Sequence, residues 1–219
     1  ENHIGDWGTP FGMLIEHYLD CDAEGSIDLL TFYKGAREKF DSNQSFADRS
    51  RERVVLLQSS DPETEKLWKA LYEHSIEEFN EIYELLGVLL EDKHYLGEST
   101  YQPHLPIVLE RLESIGLLER SEGADVVFPQ GWVNREGRPL PMIIRKADGG
   151  FNYSATDLAC IIDRVEESKC DEILYVVGQE QEQHFEMVFK VAREAGFMDD
   201  SIEAHHIKFG LVLGDDGKK

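Results

Sequence analysis

Four side chains that could contact a ligand lie within residues 149–184, GGFNYSATDLACIIDRVEESKCDEILYVVGQEQEQH. Tyr153 and Asp157 are four residues apart, so they share one face of a helix if that helix begins near residue 156. Gln181 and His184 follow the next apolar run. A tyrosine hydroxyl, a carboxylate and two further polar groups could together hold a cationic ligand.

The apolar run at residues 173–177 predicts the strand that positions these groups. Its continuous hydrophobicity is typical of a parallel strand that is covered on both faces. Ligands of parallel sheets bind at the carboxyl ends of the strands, which places residues 178–184 at a site. A helix that ends at Gly196 and a strand at residues 207–213 complete a strand–helix–strand unit.

Each candidate also has a simpler interpretation. Asp157 could be an acidic residue that the dipole at the start of a helix favours. Tyr153 could be an aromatic residue in the core of a strand. His184 could belong to the surface or the core without any ligand. The residues alone leave these alternatives open.

Helices dominate the first half of the chain. Thr9 and Pro10 form a helix start, and residues 27–86 predict three helices in succession. The third has a start like a capping box at residues 60–63 and a stop at Gly87. The second half adds a short helix and two short strands, which the pattern places at residues 105–115, 126–128 and 142–144.

The composition limits the possible functions. With 219 residues and 41% hydrophobic side chains, the chain can bury a core. It carries 44 acidic and 22 basic residues, a net charge of −22 that repels phosphate backbones and argues against broad nucleic-acid wrapping. The three cysteines, an odd number, argue against a disulfide framework and favour the cytoplasm. No apolar run reaches the roughly 18 residues of a membrane span, so no membrane partner is expected.

Five separated motifs resemble one known family. NHIGDWGTPFGMLI, GESTY, GGFNYSATDLA, ILYVVGQEQEQHF and FGLVLGDDGKK occur in this order. In order and spacing they are similar to the central catalytic region of the arginyl-tRNA synthetases, which are class I aminoacyl-tRNA synthetases. The resemblance covers nearly all of the chain, whereas the common phosphate-binding patterns GxGxxG and Walker A do not occur.

The resemblance implies an α/β fold, part of a Rossmann-like, parallel-sheet, nucleotide-binding catalytic domain with a mostly helical connective insertion. Residues 1–20 and 146–219 would form the two parts of that domain, and residues 21–145 the insertion with a small β region. The family's HIGH-type and KMSKS-type motifs would lie outside these 219 residues. We therefore expect the isolated chain to be inactive in catalysis.

For the amino-acid site, the resemblance implies that Asp157 and Glu98 are the two carboxylates on the arginine guanidinium. Tyr153 would add a hydroxyl contact, and Gln181 would hold the amino-acid end. Glu98 could equally be a loop residue or part of a helix cap. Paired carboxylates suit a guanidinium because it is a planar fork of five donors that stays charged.

For the nucleotide, the resemblance implies that His184 reaches the ribose or phosphate of ATP. The backbone of Gly210, Leu211 and Val212 would face the adenine. The implied partners are L-arginine, ATP and tRNA(Arg), the last mainly through other domains, with Mg²⁺ in the parent enzyme. A monomer is expected.

Two other functions stay open from the residues. The chain could be a catalytically inactive synthetase-derived module that binds a nucleotide or a protein partner through its acidic helices. It could also belong to a class I synthetase for another amino acid, such as cysteine or glutamine.

Overall fold

A computed structural model describes residues 1–21, 28–211 and 213–214. Within these ranges the chain forms two compact units. The first comprises residues 1–102 and 148–150, and the second comprises residues 103–147 and the described part of 151–219. This division differs from the predicted boundaries at residues 20 and 145. The predicted assignment of residues to a catalytic domain and a connective insertion stays a prediction.

Four α-helices build the described part of the first unit. They are α1 (Thr9–Cys21), α2 (Leu29–Ser42), α3 (Gln44–Gln58) and α4 (Pro62–Leu86). The three helices predicted within residues 27–86 are confirmed as α2, α3 and α4, although Ile27 itself lies outside the described residues.

Local sequence signals fix the ends of α4. The Asp61 side chain accepts a hydrogen bond from the Thr64 N–H at 2.9 Å, which satisfies one of the unpaired donors at the start of the helix. Gly87 ends the helix with a φ of 66°, a left-handed conformation that glycine adopts without strain. The predicted positions of the start, within residues 60–63, and of the stop at Gly87 are confirmed, but Asp61 alone caps the start and no capping box forms there.

The core of the first unit is aromatic and aliphatic. Trp7 contacts Trp68 of α4 edge to face, with ring centroids 5.1 Å apart. Trp7 therefore packs among helices. The buried members of this core are Trp7, Phe11, Met13, Leu14, Ile15, Ala36, Phe46, Leu57 and Leu71.

Three α-helices and two sheets build the second unit as far as its residues are described. The helices are α5 (Leu105–Ser114), α6 (Tyr153–Glu166) and α7 (Glu182–Glu194). An antiparallel sheet contains β1 (Glu119–Ser121), β2 (Ala124–Val127) and β3 (Met142–Arg145) in that order. A parallel sheet pairs β4 (Glu172–Gly178) with β5 (Glu203–Phe209). The short strand β1 has no counterpart in the sequence predictions.

The parallel pair confirms the predicted strand–helix–strand unit but corrects its burial. Leu174 and Val176 of β4 are 54% and 65% exposed, so the expectation that both faces of this strand are covered is wrong within the described residues. Tyr175 points to the other face, where it contacts Phe185 and Phe189 of α7. One face is covered because successive side chains of a strand alternate between faces, and the helices described here pack on one of them.

The last predicted strand is also displaced. β5 begins at Glu203, paired with Glu172, and ends at Phe209, so it starts and stops about four residues earlier than residues 207–213. Gly210 and Leu211 follow the strand without regular structure, and Val212 lies outside the described residues. None of the helices in the described ranges is both long and apolar enough to cross a membrane.

Candidate functional site

Helix α6 positions two of the predicted ligand-binding side chains. It begins at Tyr153, three residues earlier than the sequence pattern suggested, and Asn152 occupies the N-cap position. Tyr153 and Asp157 are therefore one helical turn apart on the same face. Tyr153 is 53% exposed at the start of the helix, so it is not a core aromatic of a strand.

Helix α7 brings His184 to the same place. His184 lies in the first turn of α7, just after the carboxyl end of β4. Its Nε2 atom is 2.6 Å from Oδ2 of Asp157, and its ring contacts the ring of Tyr153 edge to face at 4.7 Å. A carboxylate only accepts hydrogen bonds, so the imidazole N–H donates to Asp157. Residues from two separate motifs thus meet at His184, which contacts both Tyr153 and Asp157.

Asp157 is buried, with an exposed fraction of 7%. It also lies four residues after the first residue of α6, whose first turn contains no acidic residue, so the alternative of an acid in the first turn of a helix does not apply. A buried carboxylate requires hydrogen bonds or an opposite charge, and His184 supplies one such bond. A carboxylate has about four lone-pair positions, so this bond leaves acceptor capacity for a second donor.

A cleft of about 380 Å³ adjoins these side chains. Tyr153, Gln181 and His184 line it, and Asp157 adjoins it through its bond to His184. Gln181 is exposed in the short 3₁₀ turn between β4 and α7. The remaining lining residues are Leu140, Pro141, Met142, Ile143, Asn152, Ser154, Glu180, Gln183 and Met187.

Several of these lining residues were missed at the sequence level. Asn152 lies at the start of α6, and its side-chain amide donates to the Ile143 carbonyl at 3.3 Å, which ties the helix start to β3. Its place directly before the helix was the available signal, since asparagine is a preferred N-cap residue. No local signal identified the wall formed by residues 140–143, because it depends on how β3 packs beside α6.

Glu98 belongs to the first unit, whereas Tyr153, Asp157, Gln181 and His184 belong to the second. Its backbone N–H donates to the Ile4 carbonyl at 2.9 Å, and its Oε2 atom accepts from the Trp7 N–H at 3.3 Å. Trp7 lies two residues before α1, so the carboxylate lies beside the positive end of that helix. Glu98 is therefore an ordered, partly buried carboxylate.

Asp6 of the first unit is a buried carboxylate with two hydrogen bonds from one residue. It is fully buried, and its two oxygens accept hydrogen bonds from the backbone and the hydroxyl of Ser99 at 2.9 and 2.6 Å. Burial raises the pKa of Asp6 above its usual value of 3.8, and the bonds from Ser99 oppose that rise.

The predicted nucleotide-binding residues after β5 are only partly described. Gly210 and Leu211 are exposed at the carboxyl end of the parallel sheet, next to the end of β4 at Gly178. A Cβ atom at Gly210 would meet no atom of the described residues within 4 Å, so packing within that part of the chain does not require a glycine there. Val212 lies outside the described residues.

One group of side chains in the described ranges could hold a metal ion. Glu172, Glu203 and His205 lie close together and are exposed. Glu172 and Glu203 begin β4 and β5, at the sheet edge opposite Gly178 and Phe209. This group therefore does not fit a Mg²⁺ ion that accompanies a nucleotide at the carboxyl ends of the strands.

Comparisons with known proteins agree on one family. The family described as "tRNA synthetases class I (R), catalytic domain" matches residues 1–219. An arginine–tRNA ligase of Thermobifida fusca is 51% identical over 224 residues, which are 100% of this chain and 39% of the relative. One of a Picosynechococcus species is 48% identical over 226 residues, again 100% of this chain and 38% of the relative.

A solved structure agrees with the sequence relatives. The crystal structure of arginyl-tRNA synthetase from Plasmodium falciparum superposes with a TM-score of 0.77 at 29% identity. The match covers 97% of this chain and 36% of that protein. This chain thus spans about two fifths of the length of the curated relatives it matches, and it belongs to the family of class I arginyl-tRNA synthetase catalytic domains.

Proposed function

We propose that this chain is the part of an arginine–tRNA ligase that binds arginine and contributes to ATP binding. The parent protein would activate L-arginine with ATP to arginyl-adenylate and transfer the arginyl group to tRNA(Arg). The observation that carries the proposal is that His184 contacts both Asp157 and Tyr153 beside a cleft. Membership of the family supports it, because the matched relatives are named arginine–tRNA ligases.

The guanidinium would bind to Asp157. A partly desolvated carboxylate that is already oriented by one hydrogen bond strengthens the attraction for a cation and loses little freedom on binding. The Tyr153 hydroxyl would add a neutral contact from the same face of α6, and Gln181 would hold the amino-acid end from across the cleft. Glu98 would supply the second carboxylate.

The nucleotide would bind at the carboxyl ends of β4 and β5. His184 lines the cleft at the start of α7, and the open space at Gly210 leaves room for a close approach of a base to the backbone. Gly210, Leu211 and Val212 would contact the adenine through their backbone groups. The position follows the rule that parallel sheets bind ligands at this edge.

In the proposed reaction, the arginine carboxylate attacks the α-phosphate of ATP and pyrophosphate leaves. A hydroxyl of the terminal ribose of the tRNA then attacks the arginyl carbonyl of the adenylate, and AMP leaves. The residues of this chain would bind and orient arginine and adenosine, while the charge that develops on the phosphoryl group would be neutralised by the HIGH-type and KMSKS-type motifs of the parent. A protein of these 219 residues alone would not catalyse adenylation at a useful rate.

The same proposal extends to the metal ion, the oligomeric state and the cellular location of the parent enzyme. Mg²⁺ would assist the parent enzyme, although the exposed group at residues 172, 203 and 205 lies at the wrong sheet edge to hold it. The parent would act as a monomer. It would be cytoplasmic, in keeping with the three free cysteines of the described chain.

ATP–pyrophosphate exchange tests the proposal. The full-length protein that contains this chain would be assayed with arginine, lysine, glutamine and cysteine, with and without tRNA. We expect exchange that depends on arginine. Exchange with cysteine or glutamine instead would show a class I synthetase for another amino acid. The absence of exchange with every amino acid, with tRNA present, would favour an inactive binding module.

A further inference from the structure

Two segments that are far apart in the sequence interlock around Glu98. Residues 4–7 contact residues 97–99 at four points within the first unit. The Glu98 N–H donates to the Ile4 carbonyl at 2.9 Å, and the Trp7 N–H donates to Glu98 Oε2 at 3.3 Å. Both the backbone and the carboxylate of Glu98 are therefore fixed by the segment before α1.

The other two contact points involve Asp6. Its Oδ1 atom accepts from the Ser99 N–H at 2.9 Å, and its Oδ2 atom accepts from the Ser99 hydroxyl at 2.6 Å. Two bonds to one residue fix the plane of the carboxylate as well as its position. We call this pair of bonds the Asp6–Ser99 latch.

Gly97 completes the arrangement on the other side of Glu98. A Cβ atom at Gly97 would lie 2.6 to 2.7 Å from the carboxylate atoms of Asp6, closer than real side chains pack. Only glycine fits without a shift, because Asp6 is fully buried and cannot move into solvent. Asp6 thus contacts the residues on both sides of Glu98.

Burying Asp6 is costly, since a carboxylate loses its hydration when it is desolvated. A neutral side chain could close a turn without that cost. The hydrogen bonds from Ser99 offset part of the cost of desolvating Asp6. They also fix the position of Glu98, which lies between Gly97 and Ser99.

We propose that Asp6 is a positioning residue that holds Glu98 in place for the arginine guanidinium through the Asp6–Ser99 latch. This inference rests on the proposed function, in which Glu98 is an arginine-binding carboxylate. Asp6 itself does not touch the substrate. Loss of the latch lets the Glu98 carboxylate sample other positions, so it weakens arginine binding and leaves the nucleotide site unchanged.

The test uses the full-length protein that contains this chain and measures the affinities for arginine and for ATP separately. Asp6→Asn keeps the shape of the side chain but removes its charge and one acceptor for Ser99. We expect the Kd for arginine to rise about 5- to 30-fold. The Kd for ATP should stay within about twofold. Asp41→Asn is the matched control, because Asp41 is exposed and pairs with Arg37 on the surface of α2.

A double-mutant cycle separates positioning from general stability. In a Glu98→Gln background, Asp6→Asn should have little further effect on arginine binding, because the carboxylate that it positions is already gone. Ser99→Ala should weaken arginine binding and Ser99→Thr, which keeps the hydroxyl, should restore most of it. If Asp6→Asn fails to fold, as judged by its melting temperature, the Ser99→Ala variant takes its place in the cycle.

Equal effects of Asp6→Asn, or of Ser99→Ala in its place, with and without Glu98→Gln would overturn the inference. So would an unchanged arginine affinity after Glu98→Gln. In both cases a wild-type protein that binds arginine still supports the proposed function. A wild-type protein that activates no arginine in the presence of tRNA would instead overturn the proposed function itself.

Discussion

At the scale of single residues, Tyr153 contributes to the proposed site in two ways that one substitution can separate. Its ring packs against His184, and its hydroxyl is the only polar atom that the side chain offers to a ligand. Replacing the tyrosine by phenylalanine keeps the ring contact and removes the hydroxyl. The contribution of the Tyr153 hydroxyl to ligand binding can thus be measured while the contact of its ring with His184 is kept.

We predict that Tyr153→Phe weakens arginine binding by about 3- to 10-fold, the effect of one neutral hydrogen bond. Titration calorimetry on the full-length protein measures it, and the melting temperature should not fall because the packing is kept. Tyr33→Phe on α2 serves as the control, since Tyr33 is exposed. An arginine affinity equal to that of the wild type would show that the Tyr153 hydroxyl does not contact the guanidinium.

The sequence predicted these residues better than it predicted their contacts. Spacing placed Tyr153 and Asp157 on one helix face, because four residues make about one helical turn. The bond between His184 and Asp157 joins residues 27 positions apart and depends on how α6 and α7 pack. The bonds from Ser99 to Asp6 span 93 positions and were likewise not predictable from local pattern.

At the scale of elements, prediction succeeded where the signal was local. The ends of α4 follow from Asp61 and Gly87, whose side-chain chemistry acts within one turn. The exposure of Leu174 and Val176 was not predictable from the sequence. A continuous apolar run indicates a strand covered on both faces, but it does not show which elements cover each face. The burial of a strand face is a property of the packed sheet rather than of the strand.

The glycine that ends α4 gives a prediction on stability. Gly87 has a φ of 66°, a conformation that costs other residues about 1–2 kcal/mol. We expect Gly87→Ala to lower the free energy of unfolding by about that amount in urea denaturation. Gly5→Ala is the matched control, because Gly5 has no positive φ and a Cβ atom there would meet open space. Equal stabilities of the two variants would contradict the left-handed helix end.

The antiparallel sheet of the second unit gives a prediction on pH. Asp125 of β2 is buried and accepts hydrogen bonds from Arg120 at 2.7 Å and Arg145 at 2.6 Å. Burial raises the pKa of Asp125, but the two guanidinium groups outweigh it and hold the pKa below the usual 3.8. A carboxyl with a depressed pKa stabilises the fold above the unfolded-state value, and that contribution is lost as the pH falls through the folded-state value.

We therefore expect Asp125→Asn to lower the free energy of unfolding by about 1–3 kcal/mol near pH 7. The difference from the wild type should narrow below about pH 4, where the wild-type carboxyl takes up its proton. Denaturation at several pH values measures this difference. Asp200→Asn is the control, since its side chain is fully exposed. A difference that stays constant from about pH 7 to about pH 2.5 would refute the role of Asp125.

At the scale of the whole chain, the net charge bears on contacts with nucleic acid, and the length shows how much of its relatives the chain represents. The net charge of −22 repels a phosphate backbone, which is in keeping with the proposal that the parent protein would contact tRNA mainly through other domains. The chain spans 38–39% of the curated relatives that it matches. Fold class and family were predictable because five separated motifs occur in one order.

The central claim is that Asp157 selects a positively charged guanidinium. Citrulline keeps the shape of arginine and removes its charge, so the ratio of the two affinities in the full-length protein isolates this interaction. We expect the wild type to prefer arginine by about a hundredfold or more, and Asp157→Asn to reduce that preference at least about tenfold. Asp200→Asn should leave the ratio unchanged. An Asp157→Asn protein that folds normally and keeps the full preference for arginine over citrulline would contradict the account.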